Sequence, residues 1–216
     1  MGSYLNPGGG MFKACLRSKI YVDKSGLIAK TNEVLGTEQR FVCVSRPRRF
    51  GKSMAANMLA AYYGRGEDSA ELFSALRIHT DKSFREHLNQ YDVIRINMQE
   101  FLSMSETMEE MLEMLKNYLV SDFKETFHEI QFRDEKNLIQ VMKDVFRYTK
   151  CPFVILIDEW DCLFREYQSV QGALEQIREK KYGEALKEYE GNLLLAGINY
   201  DRKTKRHTCR IEKMWK

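Results

Sequence analysis

The sequence predicts an α/β fold in which a mostly parallel sheet lies between two layers of helices. Three short runs rich in β-branched residues, at 41–44, 93–97 and 153–157, have the length and composition of buried strands. Stretches with helical periodicity separate these runs. Strands that alternate with helices favour parallel pairing with right-handed crossovers. A short helix and a β-hairpin are predicted to follow at the C-terminal end.

The elements follow in a regular order along the chain. Residues 1–10 are rich in Gly and Pro and predict an irregular lead-in, and residues 25–35 predict a short helix capped by Ser25. The first core strand is predicted at 41–44. A hairpin is predicted from strands at 193–200 and 207–213. The remaining helices are predicted at residues 53–63, 67–76, 83–88, 105–127, 136–149 and 172–189.

The strongest functional signal lies between the predicted strand at 41–44 and the helix at 53–63. This segment ends in Gly51-Lys52-Ser53, and the order strand, loop, G-K-S, helix is that of a phosphate-binding P-loop. Backbone N–H groups at the helix N-terminus would face a polyphosphate. Lys52 would reach the β- and γ-phosphates, and the Ser53 hydroxyl would ligate Mg²⁺.

This P-loop pattern is imperfect, because Arg46 occupies the first Gly position of G-x-x-x-x-G-K-[ST]. On that string alone, a basic surface turn before a helix is an equal alternative. A second segment, F-V-I-L-I-D-E-W-D at 153–161, shifts the balance. It has the Walker B layout, in which Asp158 would hold Mg²⁺ and Glu159 would orient the attacking water. The alternative for this second segment is a strand that ends in an acidic turn. Both halves in the expected order favour a nucleotide site.

Six strings of the sequence resemble a bacterial family of P-loop proteins known as AAA-ATPase-like. Full-length members typically carry a PD-(D/E)XK nuclease-like domain at the C-terminus, and R-P-R-R-F-G-K-S is their usual P-loop form, with arginine where this chain has Arg46. The strings are Y-L-N-P-G (4–8), K-I-Y-V-D-K-S-G-L-I (19–28), S-R-P-R-R-F-G-K-S (45–53), E-L-F-S-A-L-R-I (71–78), I-N-M-Q-E-F (96–101) and I-D-E-W-D (157–161).

The resemblance implies a P-loop NTPase fold, three-layered and truncated after the Walker B strand, over residues 1–168. Residues 169–216 resemble the end of the nuclease-like domain, so the chain looks internally deleted near Gln168. The family's sensor residue, arginine finger and nuclease cluster have no counterpart here. ATP and Mg²⁺ are the expected cofactors, with Lys52 and Glu159 catalytic and Ser53 and Asp158 holding the metal. The residues expected around the nucleotide are Arg46, Pro47, Arg48, Arg49, Phe50, Gly51, Lys52, Ser53 and Met54.

The three arginines of the loop have two interpretations. They would add positive charge around the phosphates or contact a polynucleotide. Alternatively, at least one of them pairs with Asp158, Glu159 or Asp161 when no nucleotide is bound, because paired buried charges cost less than lone ones. The sequence favours the pairing interpretation for at least one arginine.

Composition narrows the class of protein. An apolar share of 44% and a charged share of 30% are enough for a globular core. No apolar run approaches the ~20 residues that span a bilayer, and no signal peptide is visible. The five cysteines form no C-x-x-C, so we expect reduced thiols in the cytoplasm. The four histidines lack ligand spacing, and we predict no structural zinc.

The C-terminal residues differ from the rest in charge. Residues 171–216 hold eleven Lys or Arg and seven Asp or Glu, whereas the whole chain carries a net charge of only +3. This excess would suit a DNA backbone, although a solvated loop explains it more simply. Three functions therefore remain open: an ATPase, a nucleotide-binding module without turnover, and a nucleic-acid-binding remnant. Because a sheet cut off after the Walker B strand has an open edge, we expect the hairpin, a second copy or a full-length relative to cover it.

Overall fold

A two-stranded parallel sheet forms the centre of the first part of the protein. The structure is a computed structural model that describes residues 2–45 and 49–162, together with the backbone of residues 193–201 and 206–214. The chain divides into two compact units, Met1–Trp160 and Asp161–Lys216. This mixed α/β architecture agrees with the predicted fold class at the level of an α/β protein built on a parallel sheet.

The described elements follow the predicted order with three exceptions: the strand at 41–44 is not formed, the helix predicted at 67–76 is only a 3₁₀ turn, and two short helices at 10–16 and 98–103 were not predicted. The helices are α1 (Gly10–Leu16), α2 (Gly26–Asn32), α3 (Lys52–Tyr63), α4 (Phe84–His87), α5 (Met98–Ser103), α6 (Met108–Thr126) and α7 (Leu138–Thr149). The strands are β1 (Asp92–Asn97), β2 (Phe153–Asp158), β3 (Leu193–Asp201) and β4 (Arg206–Met214). Two 3₁₀ turns span Ala70–Phe73 and Arg77–Thr80.

Strands β1 and β2 pair in parallel, as predicted, with a register that runs from Asp92 opposite Phe153 to Asn97 opposite Asp158. The N-terminal segment covers the other edge of β1. Leu5 forms an antiparallel bridge with Ile94, and the Asn6 N–H donates to the Val93 carbonyl at 2.7 Å. The backbone groups on both sides of β1 therefore find partners, which a buried strand requires.

Helix α3 covers one face of this sheet and contacts both strands. Its sequence, K-S-M-A-A-N-M-L-A-A-Y-Y, has strong helix propensity. The helix contributes Met58, Tyr62 and Tyr63 to a core that also contains Val93 and Val154. Six buried or nearly buried aromatic and aliphatic side chains surround them: Phe12, Ile28, Phe73, Leu76, Ile78 and Phe84.

The carboxyl end of α3 is tied to the start of β1 by backbone hydrogen bonds. The Tyr91 N–H donates to the Tyr63 carbonyl at 2.9 Å, and the Asn89 N–H donates to the Tyr62 carbonyl at 2.7 Å. Gly64 forms an isolated parallel bridge with Tyr91. The helix therefore ends beside the amino end of β1.

The predicted strand at 41–44 is not formed. Phe41, Val42 and Val44 are 84%, 51% and 39% exposed, and no strand is assigned to this segment. A β-strand is stable only when a neighbouring strand pairs with its backbone groups. Within the described ranges the sheet of the first unit ends at β2, and nothing there pairs with 41–44. The prediction was wrong because it rested on side-chain pattern alone.

The outer edge of β2 also has no neighbouring strand among the described residues. Ile155 and Ile157 are 52% and 50% exposed, although a central strand of a parallel sheet would bury them. Among the residues that the structure describes, β2 pairs only with β1. The expectation that the hairpin, a second copy or a full-length relative covers this edge stays a prediction.

Helices α2 and α6 differ from their predictions in length and in capping. Helix α2 begins after Ser25 as expected, but the Ser25 side chain does not cap it; the Ser25 Oγ accepts instead from the Ile78 N–H at 3.1 Å. Helix α6 is shorter than predicted and begins at a capping box formed by Thr107 and Glu110. Its apolar residues are only partly buried, since Met111 is buried whereas Leu112 is 52% exposed.

The C-terminal strands form the predicted hairpin. Strands β3 and β4 are antiparallel, with Leu193 opposite Met214 and Asp201 opposite Arg206. The helix predicted at 172–189 and the domain boundary predicted at residue 168 lie outside the described residues. The nuclease origin of this region and its contact with DNA stay predictions. No helix in the described part of the chain is long and apolar enough to cross a membrane.

One buried carboxylate attaches the N-terminal segment to α6, and we predict that its loss destabilises the fold. Asp122 Oδ2 accepts from the Tyr4 N–H at 2.5 Å and from the Leu5 N–H at 3.0 Å. Asp122→Ala leaves these donors without a partner, and an unsatisfied buried donor costs about 1–3 kcal/mol. Urea unfolding monitored by circular dichroism measures this loss.

The matched control for Asp122→Ala is Glu125→Ala on the same helix. Glu125 is exposed and accepts a hydrogen bond from the exposed Ser121 hydroxyl. A surface change of this kind should stay within about 0.5 kcal/mol of the wild type. Equal unfolding midpoints for the two variants would show that Asp122 does not anchor the N-terminal segment.

Candidate functional site

The loop before α3 turns sharply as it enters the helix. Gly51 is the N-cap residue of α3 and has a φ of 75°, in the left-handed region that only glycine adopts without strain. Arg49 also has a positive φ, of 67°. Lys52 and Ser53 are the first two residues of the helix. The first N–H groups of a helix have no carbonyl partner within it, so this end of α3 suits an anion.

We infer that the amino end of α3 points towards the carboxyl ends of the strands. The carboxyl end of α3 is held beside the start of β1, and the helix then contacts both β1 and β2. Its 12 residues extend for roughly 18 Å, about the length of a six-residue strand. The beginning of α3 therefore lies towards the strand ends at Asn97 and Asp158. This is the edge at which open α/β sheets bind ligands.

Two carboxylates mark the end of β2. Asp158 is the last residue of the strand and is only 6% exposed, and its Oδ1 accepts from the Glu159 N–H at 3.0 Å. Glu159 has a φ of 52°. A left-handed conformation costs a non-glycine residue roughly 1–2 kcal/mol, and such residues cluster at functional sites. The acidic pair thus occupies a tight turn at the carboxyl end of β2.

The predicted nucleotide-binding residues divide into two groups. Arg46, Pro47 and Arg48 lie outside the described residues. The others are described, and they are the half-exposed or exposed Arg49, Phe50 and Ser53 and the partly buried Gly51, Lys52 and Met54. Arg49 takes part in none of the salt bridges found between described residues, so the predicted pairing with an acidic residue does not involve this arginine.

The structure adds one residue that the sequence analysis did not select. The Lys24 ammonium donates a hydrogen bond to the Phe50 carbonyl. A Cβ atom at position 51 would lie 2.6 Å from Lys24 Nζ, so this cation lies beside the residue that begins α3. Lys24 is 26 positions away from Phe50 in the sequence, and no motif spacing connects these two residues. In the sequence, Lys24 belongs to the string K-I-Y-V-D-K-S-G-L-I, which resembles the family but assigns no role to this lysine.

Hydrogen bonds on both sides of Lys24 hold its backbone in place. Asp23 Oδ1 accepts from the Ser25 N–H at 2.8 Å, and Asp23 Oδ2 accepts from the Arg77 N–H at 2.9 Å. Burial would raise the pKa of Asp23, but these hydrogen bonds outweigh it and hold the pKa below its usual value. Asp23 is therefore ionised at neutral pH and anchors the segment to the 3₁₀ turn at Arg77–Thr80.

The donor atoms near α3 are compatible with magnesium. Within the described ranges, no group of three or more His, Cys, Asp or Glu residues is arranged to hold a metal ion. Mg²⁺ needs no such group, because it is commonly bound through one or two protein oxygens, water and the phosphates of the substrate. Ser53 at the start of α3 and Asp158 at the end of β2 offer oxygens of this kind.

A separate cavity of about 410 Å³ lies between the N-terminal segment, β1 and α6. Its lining is polar and includes the start of α5, and residues 49–54 take no part in it. The cavity is therefore distinct from the loop before α3. Its lining residues are Ser3, Tyr4, Arg95, Asn97, Glu100, Tyr118, Ser121, Asp122 and Glu125.

Comparison with protein families shows to which family the chain belongs. The family model described as "Predicted AAA-ATPase" matches residues 12–198, which is most of the sequence. The chain belongs to this AAA-ATPase-like family. No curated protein and no solved structure matches it. Membership confirms the resemblance seen in the sequence and supports an ATPase-like function in general terms for this AAA-ATPase-like chain.

The left-handed turn at Gly51 leads to a prediction about stability. Gly51→Ala places a side chain in a conformation that costs roughly 1–2 kcal/mol and also forces the Lys24 ammonium to move. We expect the free energy of unfolding in urea to fall by at least the conformational cost.

Two other glycines separate the causes of this effect. Gly36 has a φ of 73° and no neighbour within 4 Å of an added Cβ, so Gly36→Ala reports the backbone cost alone. Gly26 lies at the start of α2 with open space around it, so Gly26→Ala should be neutral or stabilising by about 0.5–1 kcal/mol. A Gly51→Ala variant as stable as Gly26→Ala would contradict the described turn.

Proposed function

We propose that this AAA-ATPase-like chain binds Mg–ATP at the amino end of α3 and that its function depends on this nucleotide. The supporting observation is geometric. A left-handed Gly51 leads directly into Lys52 and Ser53, and the contact of α3 with both strands supports a position of this helix end towards Asp158, the last residue of β2. Family membership supports an ATPase-like function independently of that geometry.

The proposed site assigns the triphosphate to the start of α3. The phosphates lie against the N–H groups of the first turn, where the helix dipole favours negative charge. Lys52 contacts the β- and γ-phosphates as the lysine of a P-loop does. Arg49, Phe50 and Met54 border the nucleotide, together with residues 46–48 of the same loop.

Magnesium is proposed to be held by the Ser53 hydroxyl and by Asp158, directly or through water. Bound Mg²⁺ would neutralise part of the charge on the phosphates. The burial of Asp158 fits this role, because a buried carboxylate is stabilised when a cation or hydrogen-bond donors compensate its charge. The carboxylate retains acceptor capacity beyond the hydrogen bond from the Glu159 N–H.

Glu159 is proposed to orient the attacking water if the chain hydrolyses ATP. The residue directly follows Asp158, so a metal ligand and a water-orienting carboxylate would lie side by side at the sheet edge. Turnover by P-loop enzymes also depends on charge neutralisation in the transition state, to which an arginine finger contributes roughly 10³–10⁵ in rate. No such arginine is identified in this sequence. The alternative within this proposal is therefore a chain that hydrolyses ATP slowly or binds it without turnover.

Substitution of Lys52 tests the nucleotide site. Lys52→Ala should weaken the binding of Mg–ATP by about tenfold to a hundredfold, because a hydrogen bond to a charged group contributes about 1.5–3 kcal/mol. Isothermal titration calorimetry on the full 216-residue chain measures the dissociation constant. Lys30→Ala is the control, since among the described residues the exposed Lys30 pairs only with Glu33 at the end of α2. Equal ATP affinity in the two variants would refute the site.

Substitution of Glu159 separates binding from hydrolysis. Glu159→Gln removes the negative charge and keeps the size of the side chain, so ATP affinity should remain within about twofold of the wild type while phosphate release stops. If the wild type binds ATP and releases no phosphate, the chain is a binding module. Undiminished phosphate release by Glu159→Gln would exclude the role proposed for this carboxylate.

A further inference from the structure

We propose that Lys24 is a second phosphate-binding lysine of the nucleotide site, brought to the loop from the segment before α2. The inference rests on the proposed function, because it requires a nucleotide at the start of α3. It adds a residue from outside the loop and the strand ends to that site.

The first argument is position. The Lys24 ammonium hydrogen-bonds the Phe50 carbonyl and lies 2.6 Å from where a Cβ of residue 51 would be. The N–H groups of the first helical turn follow Gly51 immediately. A phosphate bound to those N–H groups therefore lies within the range of a lysine side chain, which pivots about four rotatable bonds.

The second argument is charge. Lys24 is partly buried, and within the described part of the chain the only hydrogen bond of its ammonium group is to the neutral Phe50 carbonyl. An ammonium group has three donors, so two remain for a ligand. The adjacent Asp23 forms no salt bridge with Lys24 among the described residues, and both Asp23 oxygens accept backbone N–H groups. A partly buried cation without a carboxylate partner is stabilised by an anionic ligand.

The third argument is rigidity. The backbone around Lys24 is held by the two hydrogen bonds of Asp23, by the Ile78 N–H on Ser25 Oγ and by the Leu27 N–H on the Lys24 carbonyl. Ser25 is fully buried. A cation on such a segment loses little further freedom when a ligand binds, and this preorganisation favours affinity. The hydrogen bond from Lys24 to Phe50 also links the segment before α2 to the loop before α3.

The test compares nucleotides that differ in phosphate number. Dissociation constants for ATP, ADP and AMP are measured on the full chain for the wild type, Lys24→Gln, Lys24→Arg and the control Lys30→Gln. We expect Lys24→Gln to weaken ATP about tenfold, ADP less and AMP least, because the lost attraction grows with phosphate charge. Lys24→Arg should recover most of the ATP affinity, and Lys30→Gln should match the wild type.

The outcomes separate this inference from the proposed function. If Lys52→Ala weakens ATP binding and Lys24→Gln behaves like Lys30→Gln, Lys24 has no phosphate role and the site itself stands. Equal weakening of ATP, ADP and AMP by Lys24→Gln would indicate a purely structural tie and overturn the inference. A wild-type chain that binds none of the three nucleotides overturns both proposals.

A measurement on the wild type covers the case in which Lys24→Gln does not fold. An amine-reactive reagent followed by mass spectrometry reports the accessibility of each lysine with and without Mg–ATP. We expect ATP to slow the labelling of Lys24 and Lys52 several-fold, because a bound phosphate occupies both ammonium groups, and to leave Lys30 unchanged. Labelling of Lys24 that ATP does not alter, while Lys52 is protected, would overturn the inference.

Discussion

The attachment of α3 to the start of β1 is the constraint on which the rest of the site depends. Backbone hydrogen bonds from Asn89 and Tyr91 hold the last turn of the helix beside the amino end of the sheet, and the buried Tyr62 and Tyr63 fill the space beneath. Because that end of the helix is fixed and the helix contacts both strands, we infer that its other end lies towards the strands' carboxyl ends. The helix dipole then adds positive potential at the edge where Asp158 lies.

Two segments far apart in the chain meet at the start of α3, and the proposed site adds a third. The loop supplies Gly51 and Lys52, and the Asp23–Ser25 segment supplies a second cation at Lys24; in the proposal, β2 supplies the buried carboxylate of Asp158. Hydrogen bonds from backbone N–H groups to Asp23 and Ser25 anchor the Asp23–Ser25 segment, and pairing with β1 holds β2 in place. Such anchoring suits a site that must hold a highly charged ligand without rearranging, because the entropy of ordering is lost during folding and not during binding.

In the described part of the first unit, the sheet has two strands. Two strands and the bridge at Leu5 leave the side chains of Ile155 and Ile157 half-exposed, and the apolar segment 41–44 remains outside any sheet. The open edge of β2 and the unpaired segment 41–44 have the same physical cause. Strand pairing is a property of neighbours, and in the described residues neither the segment nor the β2 edge has a further strand beside it.

Local sequence signals were sufficient for the helices that begin at Lys52, Met108 and Leu138, for β1 and β2, and for the β3–β4 hairpin, because hydrophobic periodicity and turn residues act over a few positions. They also indicated the order G-K-S before D-E, from which the family and an ATPase-like function could be predicted. Long-range packing was needed for the rest. The position of Lys24 and the side chain of Ser25 depend on partners 26 and 53 residues away, and a strand at 41–44 would need a neighbouring strand to pair with. No local pattern encodes those neighbours.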